Sequence, residues 1–391
     1  IQILEVLAGH FEHEHDVVFT YDAVGTAVHL SDRYLHDRYL PEKAVEVLEE
    51  SAVRASSRGP HSLVTASDVA AIVAEKTKIP LSEVTQSEGE RLLHLEERIH
   101  QRMVDQDEAV RAVASAVRRA RVELRDTRRP IANLLFLGPT GVGKTQLAKT
   151  VAEVYFGAGN RMVRLDMSEY QEPSSIERLL GLPGLGGYLT EQVRTNPFCL
   201  LLADEFEKAH PDVVNLFLQL MDDGRLTDGA GRTVDFTNCI VICTSNAGSG
   251  VIQEQLRAGV GVETIRDYLV NTELPRRFRP ELLNRFDGII VFKPLSLADV
   301  RAIARLMLAG VVDSLKRRGI TLQVTDAAVD ELAAAGYDPK FGARPLRRVI
   351  QDRVDDPLAK TLLAGSLSRR DTVVFDIGGK LAIIKGPSGI A

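Results

Sequence analysis

Two stretches of the sequence carry residues of the types and spacing needed to handle phosphate. Gly138-Pro139-Thr140-Gly141-Val142-Gly143-Lys144-Thr145 fits the pattern GxxxxGK[ST]. In such a loop the backbone N–H groups and the positive end of the following helix face the phosphates of a nucleotide such as ATP. Lys144 is expected to reach the outer phosphates, and the Thr145 hydroxyl to bind Mg²⁺. The second stretch is Asp204-Glu205, which closes the apolar run Cys199-Leu-Leu-Leu-Ala203. Asp204 is expected in the Mg²⁺ shell and Glu205 to polarise the water that attacks the γ-phosphate. A further apolar run, Cys239-Ile-Val-Ile-Cys243, ends in Thr244-Ser245-Asn246. If that strand lies beside the one ending in Asp204, Asn246 can hold the attacking water. Arg285, which closes a short helix, and Arg344, at a helix start in the smaller C-terminal part, complete the set, because a guanidinium stabilises charge on a transferring phosphoryl group whether supplied in cis or by a neighbour. Arginines at such places are ordinarily solvated; their order and spacing relative to the phosphate loop single these two out.

These groups need a scaffold that brings strand ends together. Apolar runs at 133–137, 161–165, 199–203, 239–243 and 288–292 alternate with helical patterns, which predicts an α/β fold with a parallel sheet covered by helices on both faces. Residues 1–55 read as helices, with Pro41 at a helix start, and a capped helix begins at 64–68. Pro80 opens a connector, followed by helical patterns over 82–99 and 107–124. After Pro294 the pattern is helical at 297–317, 326–335 and 343–364, with short strands at 321–324, 372–376 and 381–384. The expected division is a helical segment over 1–80, a nucleotide-binding domain over 81–294 and a smaller α+β domain over 295–391.

At 391 residues, with 45% hydrophobic and 26% charged content, the chain can bury full cores. No apolar stretch approaches a membrane span, and the first residues lack the basic start and cleavage site of a signal peptide; Ile1 reads as an interior position of something longer. Cys199, Cys239 and Cys243 fall inside apolar strands without metal-ligand spacing, as reduced core residues of a cytoplasmic protein do. The formal charge of −6 gives no global reason to expect nucleic-acid binding. Locally, Arg118, Arg119, Arg121, Arg125, Arg128 and Arg129 form a dense basic run without interleaved aromatics, which favours a solvated or subunit-facing helix over a nucleic-acid patch. His10, His13 and His15 alternate with acids and read as a solvated helix end rather than a metal site.

Nearly the whole chain resembles the second ATPase module of a Clp-type AAA+ unfoldase, preceded by the end of the first. The resemblance rests on residues 30–44 for the helical lid of the first module. For the second it rests on Asp105-Gln-Asp-Glu-Ala-Val110, the phosphate loop, Leu165-Asp-Met-Ser-Glu-Tyr170, Asp204-Glu-Phe-Glu-Lys-Ala-His-Pro211, Asp223-Gly-Arg-Leu-Thr-Asp228 and Gly342-Ala-Arg-Pro-Leu346. The resemblance implies that Asn246 senses the γ-phosphate, that Arg285 is a finger reaching the next subunit's nucleotide, that Arg344 contacts the nucleotide from the small domain, and that Val104 and Asp105 lie beside the adenine. It further implies a homo-oligomeric ring, a hexamer, acting on a polypeptide substrate or adaptor.

The sequence departs from that family in four places. The family's Gly-Tyr-Val-Gly pore loop is missing from the shorter stretch Leu180-Gly-Leu-Pro-Gly-Leu-Gly-Gly-Tyr188-Leu-Thr-Glu191, where Leu185 and Tyr188 are the bulky candidates to grip a chain. No peptidase-docking tripeptide occurs between Ser249 and Arg279, and Gly259-Val-Gly-Val262 lacks the aromatic or leucine that follows the glycine. No coiled-coil middle domain separates Arg54 from Val64. Asp105 stands where the family has glycine and is expected to point to solvent. Together these favour a remodelling ATPase that works without the Clp peptidase, with a nucleotide-switched assembly or scaffold ATPase as the alternative.

Overall fold

A computed structural model describes residues 1–35, 38–77, 92–121, 128–157, 161–339 and 341–385. Pro80, residues 82–91 of the helical pattern, Arg125 and the expected boundary at 80/81 lie outside these described residues.

The N-terminal segment packs helices Gln2–His15, Tyr21–Tyr34, Glu42–Ser56 and Ala66–Thr77 around a pair of short parallel strands, β1 (Val17–Phe19) and β2 (Ser62–Val64). The strands correct the all-helical reading of this segment. Three residues are too few for a period to show, and the break is set by Asp16, whose left-handed backbone (φ 52°) ends the first helix. The capped start near residue 65 is present as a reciprocal pair: Thr65 N–H donates to Asp68 Oδ2 at 2.8 Å and Asp68 N–H to Thr65 Oγ1 at 3.4 Å. Buried Lys43 donates to the carbonyl of Leu35 at 2.9 Å and pairs with Asp32 at 3.3 Å, satisfying the exposed end of Tyr21–Tyr34.

The centre is a parallel five-stranded sheet of β3 (Ala132–Leu137), β4 (Met162–Asp166), β5 (Leu200–Asp204), β8 (Ile240–Ser245) and β9 (Gly288–Val291), in the order β4-β5-β8-β3-β9. All residues of β3 and β8 are buried, as continuous apolar runs require when helices cover both faces. Each strand end lies within a residue or two of its expected position. An antiparallel hairpin, β6 (Arg225–Thr227) with β7 (Thr233–Asp235), was not visible in the apolar pattern because only one residue per strand is fully buried.

The register places the functional strand ends side by side. Leu137 pairs with Ser245, Ala203 with Cys243 and Asp166 with Asp204, so the phosphate loop, Asp204 and Asn246 all leave the same edge of the sheet. The C-terminal part sets helices Leu297–Lys316 and Asp326–Gly336 against the sheet β10-β11-β12 (Thr321–Val324, Thr372–Asp376, Lys380–Ile384). The helix expected over 343–364 starts only at Leu346, after Gly342 (φ 59°) and Pro345. It passes through a wide turn at Gln351–Asp355 before Asp356–Leu363.

Candidate nucleotide site

Strand β3 ends at Leu137, and Gly138, Gly141 and Gly143 all take positive φ (149°, 78° and 106°) before helix Lys144–Tyr155 begins. Gly141 also has no space for a side chain, since a Cβ there would stand 1.9 Å from the carbonyl oxygen of Phe341. Ala343 N–H donates to the Gly141 carbonyl at 3.3 Å, so the turn that carries Arg344 is seated directly on the phosphate loop.

The loop opens into a cleft of about 910 Å³. Hydrogen bonds gather Lys144, Thr145, Arg164, Asp204, Glu205, Thr244 and Asn246 into one polar end beside Thr140 to Gly143, and the rest of the lining includes the apolar Met103, Val104, Leu295, Ile303, Met307 and Val311 together with Arg344 and Arg347. A polar floor with an apolar slot is the division a nucleoside phosphate needs. Gly138 and Pro139 do not line the cleft; their carbonyls instead accept from Lys144 Nζ, the second at 3.0 Å. Val104 lines it, but Asp105 does not. Asp105 is half-buried with φ 56°, a backbone that explains glycine at this place in the resembled family. Its neighbour Gln106 (φ 67°) is buried and bonds both ways to the backbone of Lys293, at 2.9 and 3.1 Å.

Lys144 is almost wholly buried and its third bond is to Asn246 Oδ1 at 2.8 Å. Burial lowers its pKa to about 8, against the opposing pull of Glu207, Asp204 and Glu205. Phosphate bound at the loop favours the charged amine, so nucleotide binding must raise that pKa. Above pH 8 binding therefore takes up a proton, and affinity for ATP is expected to fall about tenfold per pH unit until the bound-state pKa is reached. Calorimetric titration at pH 8.5 in buffers of differing ionisation enthalpy should register net uptake; zero uptake or release would contradict the placement of Lys144.

Asp204 Oδ1 accepts from Thr244 Oγ1 at 2.5 Å, which leaves Oδ2 facing Thr145 Oγ1 at 3.5 Å. Two hard oxygen donors opposed across the mouth of a phosphate loop suit Mg²⁺, which prefers one or two protein oxygens plus phosphate and water. In this geometry Oδ2 carries Arg164 at 2.7 Å. Glu205 has a left-handed backbone (φ 56°), its N–H donating to Thr244 Oγ1 at 3.1 Å, and its carboxylate pairs with Lys208 at 2.5 Å. Asn246 N–H donates to Glu207 Oε1 at 3.0 Å, which fixes the turn that aims its amide.

Like Gly138, Pro139 and Asp105, Arg285 does not line this cleft, and of the expected catalytic residues it is the one the fold leaves outside. It lies beyond helix Pro280–Leu283 and pairs with Asp222 at 2.8 Å, while Arg129 Nη2 holds its carbonyl at 3.0 Å. Tyr188 starts helix Tyr188–Thr195 and is half exposed, as is Leu182, while Leu185 is more exposed still. The loop between them and Leu180 is pinned to the β6–β7 turn by Gly229 N–H to Leu180 O (2.8 Å) and Gly184 N–H to Gly229 O (3.0 Å). His10, with a carboxylate neighbour in Glu14 at 3.6 Å, and His13 lie exposed on the last turns of the first helix. Sequence reasoning missed Arg164, Glu207, Lys208 and Thr244, whose roles come from pairing across strands or within a turn and leave no spacing to read.

Residues 129–289 match the family of AAA domains (Cdc48 subfamily), 295–375 the C-terminal D2-small domain of ClpB protein, and 1–100 an AAA lid domain. The chaperone protein ClpB of Meiothermus ruber is 48% identical over 357 residues, 90% of this chain and 41% of the relative. The negative regulator of genetic competence ClpC/MecB of Bacillus subtilis is 39% identical over 458 residues, covering 98% and 56%. A solved Hsp104:casein complex of S. cerevisiae superposes with a TM-score of 0.84 at 35% identity, covering 98% of this chain and 68% of that one. A closed-state Hsp104 reconstruction with ATPγS and casein gives 0.83 at 36% identity, covering 95% and 66%. The chain thus spans about half the length of the curated relatives it matches.

Proposed function

The chain belongs to the Clp-type AAA+ ATPases, and from that premise we propose that it binds and hydrolyses ATP with Mg²⁺ as part of a ring that remodels protein partners. The observation that carries this reading is the meeting of Lys144, Thr145, Asp204, Glu205 and Asn246 at one end of the cleft, with Arg285 held outside it. Thr145 and Asp204 would hold Mg²⁺, which neutralises charge on the β- and γ-phosphates when bound. Lys144 exchanges its loop carbonyls for phosphate oxygens. Glu205, released from Lys208, orients the attacking water, with Asn246 beside it. Arg344, on the turn seated against Gly141, closes the small domain over the nucleotide, and Val104 packs the base. Arg285 serves the nucleotide of the adjacent subunit, which makes a closed ring the economical assembly, a hexamer by likeness to the family. The division into a preceding-module lid over 1–80, a large domain over 81–294 and a lid over 295–391 is part of the same reading, as is a cytoplasmic location.

The relatives' casein complexes support a polypeptide as the partner. The glycine-built loop 181–187 favours a weakened grip, because stacking of an aromatic ring on a passing backbone is what a pore loop uses to pull. With Tyr188 committed to a helix start and only the aliphatic Leu182 and Leu185 exposed along the loop, the expected behaviour is ATP turnover with weak processive unfolding and no degradation when the Clp peptidase is supplied. That same loop favours a second reading, a nucleotide-switched scaffold that does not thread. A stably folded fluorescent substrate with an unstructured tail tests both. Rapid ATP-dependent loss of signal, cut sharply by Tyr188→Ala, would restore a threading motor, whereas a retained signal with intact turnover is expected. The absence of any Mg²⁺-dependent phosphate release would remove the ATPase reading itself.

A further inference from the structure

A second hollow, of about 660 Å³, lies beside the nucleotide cleft and is lined by Arg164, Asp166, Glu169, Tyr170, Arg178 and Tyr188. Arg164 and Asp166 line both spaces. Arg164 stands on β4 opposite Leu202 of β5, two residues before the Asp166–Asp204 pair, and its side chain is half exposed. Its guanidinium sits 2.7 Å from the Asp204 oxygen that faces Thr145, the oxygen needed for Mg²⁺ in the reading above. Asp166, two residues further along β4, lines the same hollow as an anion. Hydrogen bonds from Ser168 (Oγ 2.6 Å, N 3.1 Å) hold its carboxyl below the usual range despite partial burial, and the charge of Arg164 adds to this. Tyr188, at the foot of the shortened loop, also lines the hollow.

We propose that Arg164 is a positioning residue with two resting places, Asp204 when the nucleotide cleft is empty and the Asp166 side of the second hollow when Asp204 is engaged, so that it carries the state of the nucleotide site to Tyr188. The inference rests on the nucleotide reading of the cleft. A divalent cation on Asp204 Oδ2 stands against the guanidinium bonded to the same oxygen, and repulsion between the two positive charges weakens that ion pair. Its departure leads into the hollow lined by the carboxylates of Asp166 and Glu169, the second already paired with Arg178 at 3.5 Å. There it alters the charge beside the two tyrosines and Arg178, which stacks 4.8 Å over Tyr170.

The chain contains no tryptophan, so Tyr188→Trp supplies a single emitter in the hollow. With a slowly hydrolysed ATP analogue, emission is expected to change when Mg²⁺ is present and not in EDTA. Adding Arg164→Met should abolish that change while nucleotide still binds. It should also lower the Mg²⁺ concentration for half-maximal nucleotide binding about fivefold, the worth of a partly exposed ion pair removed from competition. Arg164→Lys should retain part of both effects. An emission change that persists in Arg164→Met, or an unaltered Mg²⁺ requirement, overturns the proposal. Failure of the parent to bind nucleotide at all would overturn it through the reading beneath it, and is seen separately in the binding signal.

Discussion

Arg285→Ala is expected to lower ATP turnover by about three to five orders of magnitude, the usual effect of removing an arginine finger. The side chain makes no contact with the cleft of its own chain. It is partly exposed and paired with Asp222 at 2.8 Å, while the local backbone is held independently by Arg129. Loss of so exposed an ion pair costs at most about 1 kcal/mol of stability. Melting temperature and nucleotide affinity should therefore stay near those of the parent while phosphate release collapses. Unfolding at ordinary temperature would assign Arg285 to structure, and undiminished turnover would remove it from the reaction.

Glu205→Gln should lower turnover by about two to four orders of magnitude with binding almost unchanged, because a positioned base contributes about that much to the rate and little to the ground state. The backbone at this residue is held by Thr244 and does not depend on the carboxylate, whose own partner is the exposed Lys208. Lys144→Ala is expected to act oppositely. Lys144 is the buried cation of the loop, and its removal weakens binding itself. Titration of a fluorescent nucleotide into both variants separates the roles, and an equal loss of affinity in the two would contradict the division.

What the sequence made legible follows from how local each signal is. The strand, glycine loop and helix around residue 141 are contiguous, so pattern alone placed Lys144 and Thr145, and continuous apolar runs marked the strands of the buried sheet except β4, where Arg164 interrupts the run and burial alternates. Asp204 and Asn246 could be put on adjacent strands because each ends such a run. Arg164, by contrast, reaches Asp204 through the register of β4 on β5, and nothing in its own neighbourhood announces that. The strands Val17–Phe19 and Ser62–Val64 are too short for a period, and the wide turn at Gln351–Asp355 lies inside a helical pattern that a one-residue bulge does not interrupt. The expectation that Asp105 points to solvent is not met: the residue is half-buried and outside the cleft, on a left-handed backbone of the kind glycine adopts most readily.

In the proposed function the hydrolytic site is completed across a subunit boundary, with Glu205 given by one chain and Arg285 by the next. Co-assembling Arg285→Ala chains with Glu205→Gln chains, each nearly inactive alone, tests this directly by steady-state phosphate release. Recovery of turnover in the mixture is the predicted result, since some interfaces then carry both intact groups. A mixture shown by mass to have co-assembled, yet releasing phosphate no faster than its separate components, would contradict it.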